Sequence, residues 1–187
     1  GGEGTTDALI EGMGGEKITL TVNGPLGAPT EAFYGYLKES NTAIMEMAMA
    51  SGITLVSRQD LDPMAATTFG VGEMIKDAIG RGIRHFIIGI GGSATNDGGT
   101  GMLTALGYEF LDAKGKPVGP GGQCLEKIAS VSDKNRIPAL DECVFQIACD
   151  VENPLCGPHG ATYIYGPQKG VTEDLLPVLD RGMNNYG

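Results

Sequence analysis

The stretch IIGIGGSATNDGGTGML, residues 87–103, decides how this chain is read. An apolar run ends in a knot of glycines carrying a hydroxyl, an amide and a carboxylate, and a helical pattern then resumes. Just before it, TTFGVGEMIKDAIGRG (67–82) sets Val71, Met74, Ile75, Ala78 and Ile79 at helical spacing, with Gly80 and Gly82 as a stop. RHFIIGIG (84–91) is an apolar run of buried-strand length. Helix, strand, glycine loop and helix in that order make an α/β unit with a ligand loop at the carboxyl end of its strand.

Outward from that unit the pattern changes. A short helix is expected over residues 5–12, with Thr5 or Thr6 as its cap. KITLTV (17–22) alternates like a strand, and EAFYGYL and TAIMEMA are two more strand candidates, which suggests an antiparallel meander. Downstream, YEFLDAKGKPV turns at Lys114-Gly115, and GPGGQCLEKIASV gives a short glycine-led helix and a strand. CVFQIACDVENPL reads as a buried strand followed by Asp150 and Asn153. A last helix is expected to start at Thr172, with Pro177 inside its first turn.

Composition narrows the classes of function. The 31 glycines among 187 residues lie in short knots between apolar segments, as tight turns and close backbone–ligand approaches require. A net charge of −10, no Trp and 6% aromatic residues argue against a nucleic-acid partner. No apolar run reaches the roughly 18 residues of a membrane span, and no signal-peptide pattern opens the chain. Cys124, Cys143, Cys149 and Cys156, spaced by 19, 6 and 7, form no CxxC pair and read as reduced thiols of a cytoplasmic protein. Both ends look cut, as in the interior of a longer protein.

The glycine loop admits two chemistries. Gly89, Gly91 and Ala94 satisfy a loose dinucleotide fingerprint, but Thr95-Asn96-Asp97-Gly98-Gly99 delays the helix and puts a carboxylate where a pyrophosphate would lie. Phosphoryl transfer suits the residues better. Amides freed by Gly91, Gly92, Gly98 and Gly99 can approach anionic oxygens, while Ser93, Thr95 and Asn96 supply hydrogen bonds. Asp97 can bind Mg²⁺ or accept a hydroxyl proton; equally, it can cap the following helix. Lys169, in GPQKG, is a point charge for a phosphate or carboxylate, or an ordinary surface lysine. Glu46 lies in the apolar AIMEMAMASG and needs a partner, either within the fold or at the border of the site.

Together, GGEGT, NGPLGAP, IMEMAMASG, TTFGVGEMI, IIGIGGSATNDGGTGML, ACDVENPLCGPHGA and YGPQKG resemble the bacterial glycerate kinase family of the glycerate 2-kinase type, collinearly from residue 1 to residue 187. The resemblance implies a mixed α/β domain inserted in a Rossmann-like domain, with only part of that two-domain architecture present. Residues 1–20 and 171–187 would then be stubs of the Rossmann-like domain, and residues 21–170 the insert. It implies ATP-dependent phosphorylation of D-glycerate to 2-phosphoglycerate with Mg²⁺, D-glycerate and ATP being the partners and homo-oligomerisation left open. On that reading Gly91, Gly92 and Ser93 bind carboxylate or phosphate oxygens, with Thr95, Gly98 and Asn153 beside them. Asn96 orients the substrate, Asp97 or Asp150 holds Mg²⁺ or acts as base, Lys169 neutralises charge, and Glu3 lines the cleft. Two other readings stand beside it: a dinucleotide-dependent oxidoreductase, and a binding domain that keeps the loop without catalysis.

Overall fold

The computed structural model describes residue 6, residues 10–12 and residues 14–187. Its main sheet has five strands in the order β1-β2-β3-β4-β7. β1 (Glu16–Asn23), β2 (Pro29–Leu37) and β3 (Thr42–Glu46) form the expected antiparallel meander. β4 (His85–Gly89) and β7 (Val144–Ala148) then add in parallel to β3. The register pairs Glu46 with Gly89 and Gly89 with Ala148, so the three parallel strands end level. That common edge is where the following loops gather.

α1 (Ala48–Ser51) follows β3, so TAIMEMA is strand only as far as Glu46. α2 (Phe69–Gly80) covers the sheet with the predicted face, burying Val71, Met74, Ile75, Ala78 and Ile79 against Tyr34, Met45, Phe86 and Ile88. Polar ties fix its angle. Glu73 accepts the Asn23 N–H at 2.7 Å, and Asp77 accepts the Tyr34 hydroxyl at 2.7 Å. α3 (Thr100–Ala105) crosses α2 at close quarters. A Cβ on Gly72 would run into the Met102 carbonyl and the Ala105 methyl, so the contact requires glycine.

β5 (Glu109–Leu111) and β6 (Ser130–Ser132) make a small second sheet, joined through a short 3₁₀ helix at Gly122–Lys127. α4 (Ala161–Tyr165) and α5 (Leu176–Tyr186) close the chain, with α5 packed on Gly122–Lys127. α5 begins one turn later than expected. Thr172 instead closes a separate turn through its carbonyl, and Pro177 takes the helical start, where its missing N–H costs nothing. β1 runs unbroken through residue 20. The helix expected over residues 5–12 falls largely outside the described residues; Thr6, Ile10, Glu11 and Gly12 are helical.

One expectation is corrected. The strand before Asp150 is not buried: all five residues of β7 are exposed, Val144 and Ile147 by 51% and 54%. β7 is the last strand of the sheet, bonded to β4 alone, and Phe145 finds cover only by stacking on Phe86 at 4.7 Å. Apolar sequence marked a strand, but not whether anything lies over it.

The α2–α3 contact yields a stability test. Gly72→Ala should cost about 1–3 kcal/mol in denaturant melts through overpacking. Gly80→Ala, whose added methyl meets nothing within 4 Å, should be neutral or stabilising by less than about 1 kcal/mol.

Candidate active site

Residues 90–99 leave β4 at the level edge and are pinned on one side by α1. Ile53 donates its N–H to the Gly92 carbonyl at 2.8 Å, and Ala94 donates to Ser51 O at 2.8 Å. The amides of Gly91 and Gly92 have no acceptor among the described residues. Gly98 and Gly99 take left-handed backbone, φ +59° and +80°, which lets the loop double back into α3.

That reversal is organised around Asp97, 1% exposed. Its Oδ2 accepts the Thr68 N–H and hydroxyl, both at 2.8 Å, and the Gly101 N–H at 3.2 Å. Its Oδ1 accepts the Gly99 N–H at 3.1 Å. One carboxylate thus serves amides at the starts of both α2 and α3, where helix dipoles favour a negative charge. Oδ2 thus accepts three bonds and Oδ1 one, four in all against the roughly four lone-pair sites of a carboxylate. Asp97 also fills the space that a dinucleotide pyrophosphate would need at the start of α3.

The opposite wall comes from the C-terminal third of the chain. Lys169, in the 3₁₀ turn Pro167–Lys169, donates from Nζ to Ser93 Oγ at 3.1 Å and to the Thr95 carbonyl at 2.6 Å. Burial pushes its pKa down to about 8, partly opposed by the charge of Asp97. Asn96 is buried and donates from Nδ2 to Thr162 Oγ1 at 3.2 Å, tying the loop to α4. Asn153 donates to the His159 carbonyl at 3.0 Å and accepts the Tyr165 hydroxyl at 2.6 Å. Asp150 is exposed and has no partner among the described residues.

These groups surround one cavity of about 1150 Å³. Its polar end holds Gly91, Gly92, Ser93, Thr95, Asn96, Asp97, Gly98, Asp150, Asn153 and Lys169. Of the site residues expected from the sequence, Glu3 alone lies outside the described residues. The lining also has an apolar end, Met102 and Leu103 of α3 and Leu106 just past it with Phe145 and Ile147 of β7, together with the Arg136–Asp141 ion pair. Sequence reasoning missed that apolar end, and it missed Thr68, the chief partner of Asp97, for which TTFG offered no chemical signal. Glu46 ends β3 buried, with Oε1 accepting the Thr6 N–H at 2.7 Å and Oε2 unpartnered. Among the described residues no three His, Cys, Asp or Glu side chains converge as a metal cage. Mg²⁺ takes as few as one or two carboxylates beside substrate phosphates, and Asp97 and Asp150 are the carboxylates on the cavity that would hold it. No described helix is long and apolar enough to cross a membrane.

Free amides, a serine hydroxyl and a half-buried lysine thus meet at the ends of parallel strands in a mixed α/β protein. The chain belongs to the glycerate kinase family, whose model matches residues 1–187. It is 47% identical to a glycerate kinase of Bacillus subtilis and 45% identical to a glycerate 2-kinase of Escherichia coli, each over the whole of this chain and 49% of the relative. A crystal structure of a glycerate kinase 2 from Salmonella typhimurium LT2 superposes with a TM-score of 0.95 at 44% identity, covering 99% of this chain and 50% of that one. The chain therefore spans about half the length of the relatives it matches.

The bonds to Asp97 set an expectation for its variants. Asp97→Ala orphans three amides, each worth roughly 1–3 kcal/mol, and should lower stability by about 3 kcal/mol or more in urea melts. Asp97→Asn keeps one acceptor oxygen and should fall between that variant and the wild type.

Proposed function

We propose that this chain carries the glycerate-binding side of an ATP-dependent kinase that converts D-glycerate to 2-phosphoglycerate. The observation that carries the reading is the pair of unpartnered amides of Gly91 and Gly92, set beside Ser93 and Lys169 on the cavity wall. Such a group of donors fits a carboxylate: two backbone N–H groups, one hydroxyl and one ammonium against two oxygens. The family assignment supplies the substrate class, and the relatives' names supply glycerate.

Within this reading the residues divide by what they already hold. Gly91, Gly92 and Ser93 bind the substrate carboxylate, and Lys169 offsets its charge. Asp97 and Asn96 keep the loop in shape, because their polar groups are spent on Thr68, Gly99, Gly101 and Thr162. Asp150, with a free carboxylate on the same cavity, is the group available to accept the proton of the reacting hydroxyl. ATP is assigned to the part of the fold that the relatives have beyond the matched half. Positioning and charge stabilisation carry most of a phosphoryl transfer, so a carboxylate clamp next to a base is a substantial share of the machinery.

The test is an ADP-release assay with D-glycerate and Mg·ATP on the full-length protein. Glycerate-dependent ADP formation is expected. Ser93→Ala should lower kcat/KM by about 10²-fold, the scale for loss of one preorganised donor. A folded full-length protein that releases no ADP in response to glycerate overturns the reading.

A further inference from the structure

Lys169 reaches the loop from 76 residues away in sequence and touches it twice, at Ser93 Oγ and at the Thr95 carbonyl. An ammonium has three donors, so both bonds leave one to spare. By accepting from Lys169, Ser93 Oγ has its own proton left to give to a third group. Hydroxyl, free amides and lysine then form one connected patch of donors on the cavity wall. The lysine is also held where its charge is costly, half-buried and with Asp97 as the single charge acting on it.

We propose that Lys169, while holding Ser93 and the Thr95 carbonyl, turns its spare N–H to an oxyanion bound in the loop, and that filling the loop with an oxyanion loads Lys169 with a proton. The inference rests on the glycerate reading for its preferred ligand, but the proton coupling belongs to the loop itself.

The direction follows from electrostatics. Without a ligand, burial brings Lys169 down to about 8, so it is mostly charged at pH 7 and mostly neutral at pH 9. An anion in contact favours the charged form and raises that pKa. Binding therefore takes up almost no proton at pH 6.5 and approaches one proton at pH 9. Affinity is flat below about pH 7.5 and falls by up to tenfold per unit above 8. A carboxylate ligand, with a pKa near 3.5, does not titrate in this range. Other titratable groups on the surrounding elements are Asp97 on the loop, Cys149 and Asp150 after β7, Tyr165 on α4, and Asp60 and Asp62 flanking Leu61, which packs on Gly170. Of these, Cys149 is a free thiol on the same cavity and is given its own control.

The experiment is calorimetric titration of D-glycerate into the full-length protein from pH 6.5 to 9, in two buffers of different ionisation enthalpy. Wild type should show the rising proton uptake. Lys169→Arg, charged throughout, should bind with neither uptake nor pH dependence. Lys169→Met should bind at least tenfold more weakly at pH 7, again without uptake, and Cys149→Ser should match wild type. Uptake that persists in Lys169→Arg, or glycerate binding at pH 9 without uptake in wild type, overturns the proposal. Sulfate, a non-titrating oxyanion, separates the two readings. If glycerate fails to bind but sulfate binds with uptake, the function is wrong and the loop device stands; if neither binds, both fall.

Discussion

The arrangement depends on one buried carboxylate. Asp97 accepts hydrogen bonds from the residue that precedes α2 and from the first residues of α3, so the two helices and the glycine loop share a single anchor. Gly101 shows how tightly this is built, because a Cβ there would meet Thr67, the Phe69 amide and Asp97 itself. With the return leg fixed, the outgoing leg at Gly91 and Gly92 keeps its amides free. The proposed carboxylate site needs this division, one stretch locked by hydrogen bonds and its neighbour left without them.

The local character of the site reconciles it with the chain's charge. A net charge of −10 repels small anions at long range. In the proposed function attraction comes instead from groups whose effect is short-ranged: two amides, a hydroxyl and a single lysine brought in from the far end of the sequence. The level ends of β3, β4 and β7 make this possible, because they deliver the loop after β4 and the segment after β7 to the same edge.

Local pattern made much of the fold legible. Alternation marked β1 and β2, helical spacing marked α2 down to its buried residues, and the apolar run before the glycines marked β4. The grouping of Gly91, Gly92, Ser93, Asn96, Asp97, Asp150, Asn153 and Lys169 was expected from the sequence, and all of them line one cavity. Their duties were not legible. Asp97 looked equally suited to metal, proton or cap, and its partner Thr68, 29 residues upstream, carries no chemical mark that would have announced the contact. The exposure of β7 was hidden for a similar reason: apolar sequence records what a strand can pack against, and the neighbour decides what is covered.

The most direct measurement is an NMR titration of the ¹⁵N-glycine-labelled full-length protein with D-glycerate, following individual amides. The account predicts large shifts at Gly91 and Gly92, which are free to bind oxygen, and small ones at Gly99 and Gly101, which Asp97 already holds. Binding with shifts at Gly99 and Gly101 but none at Gly91 and Gly92 would contradict it, and would place the anion on the α3 side of the loop.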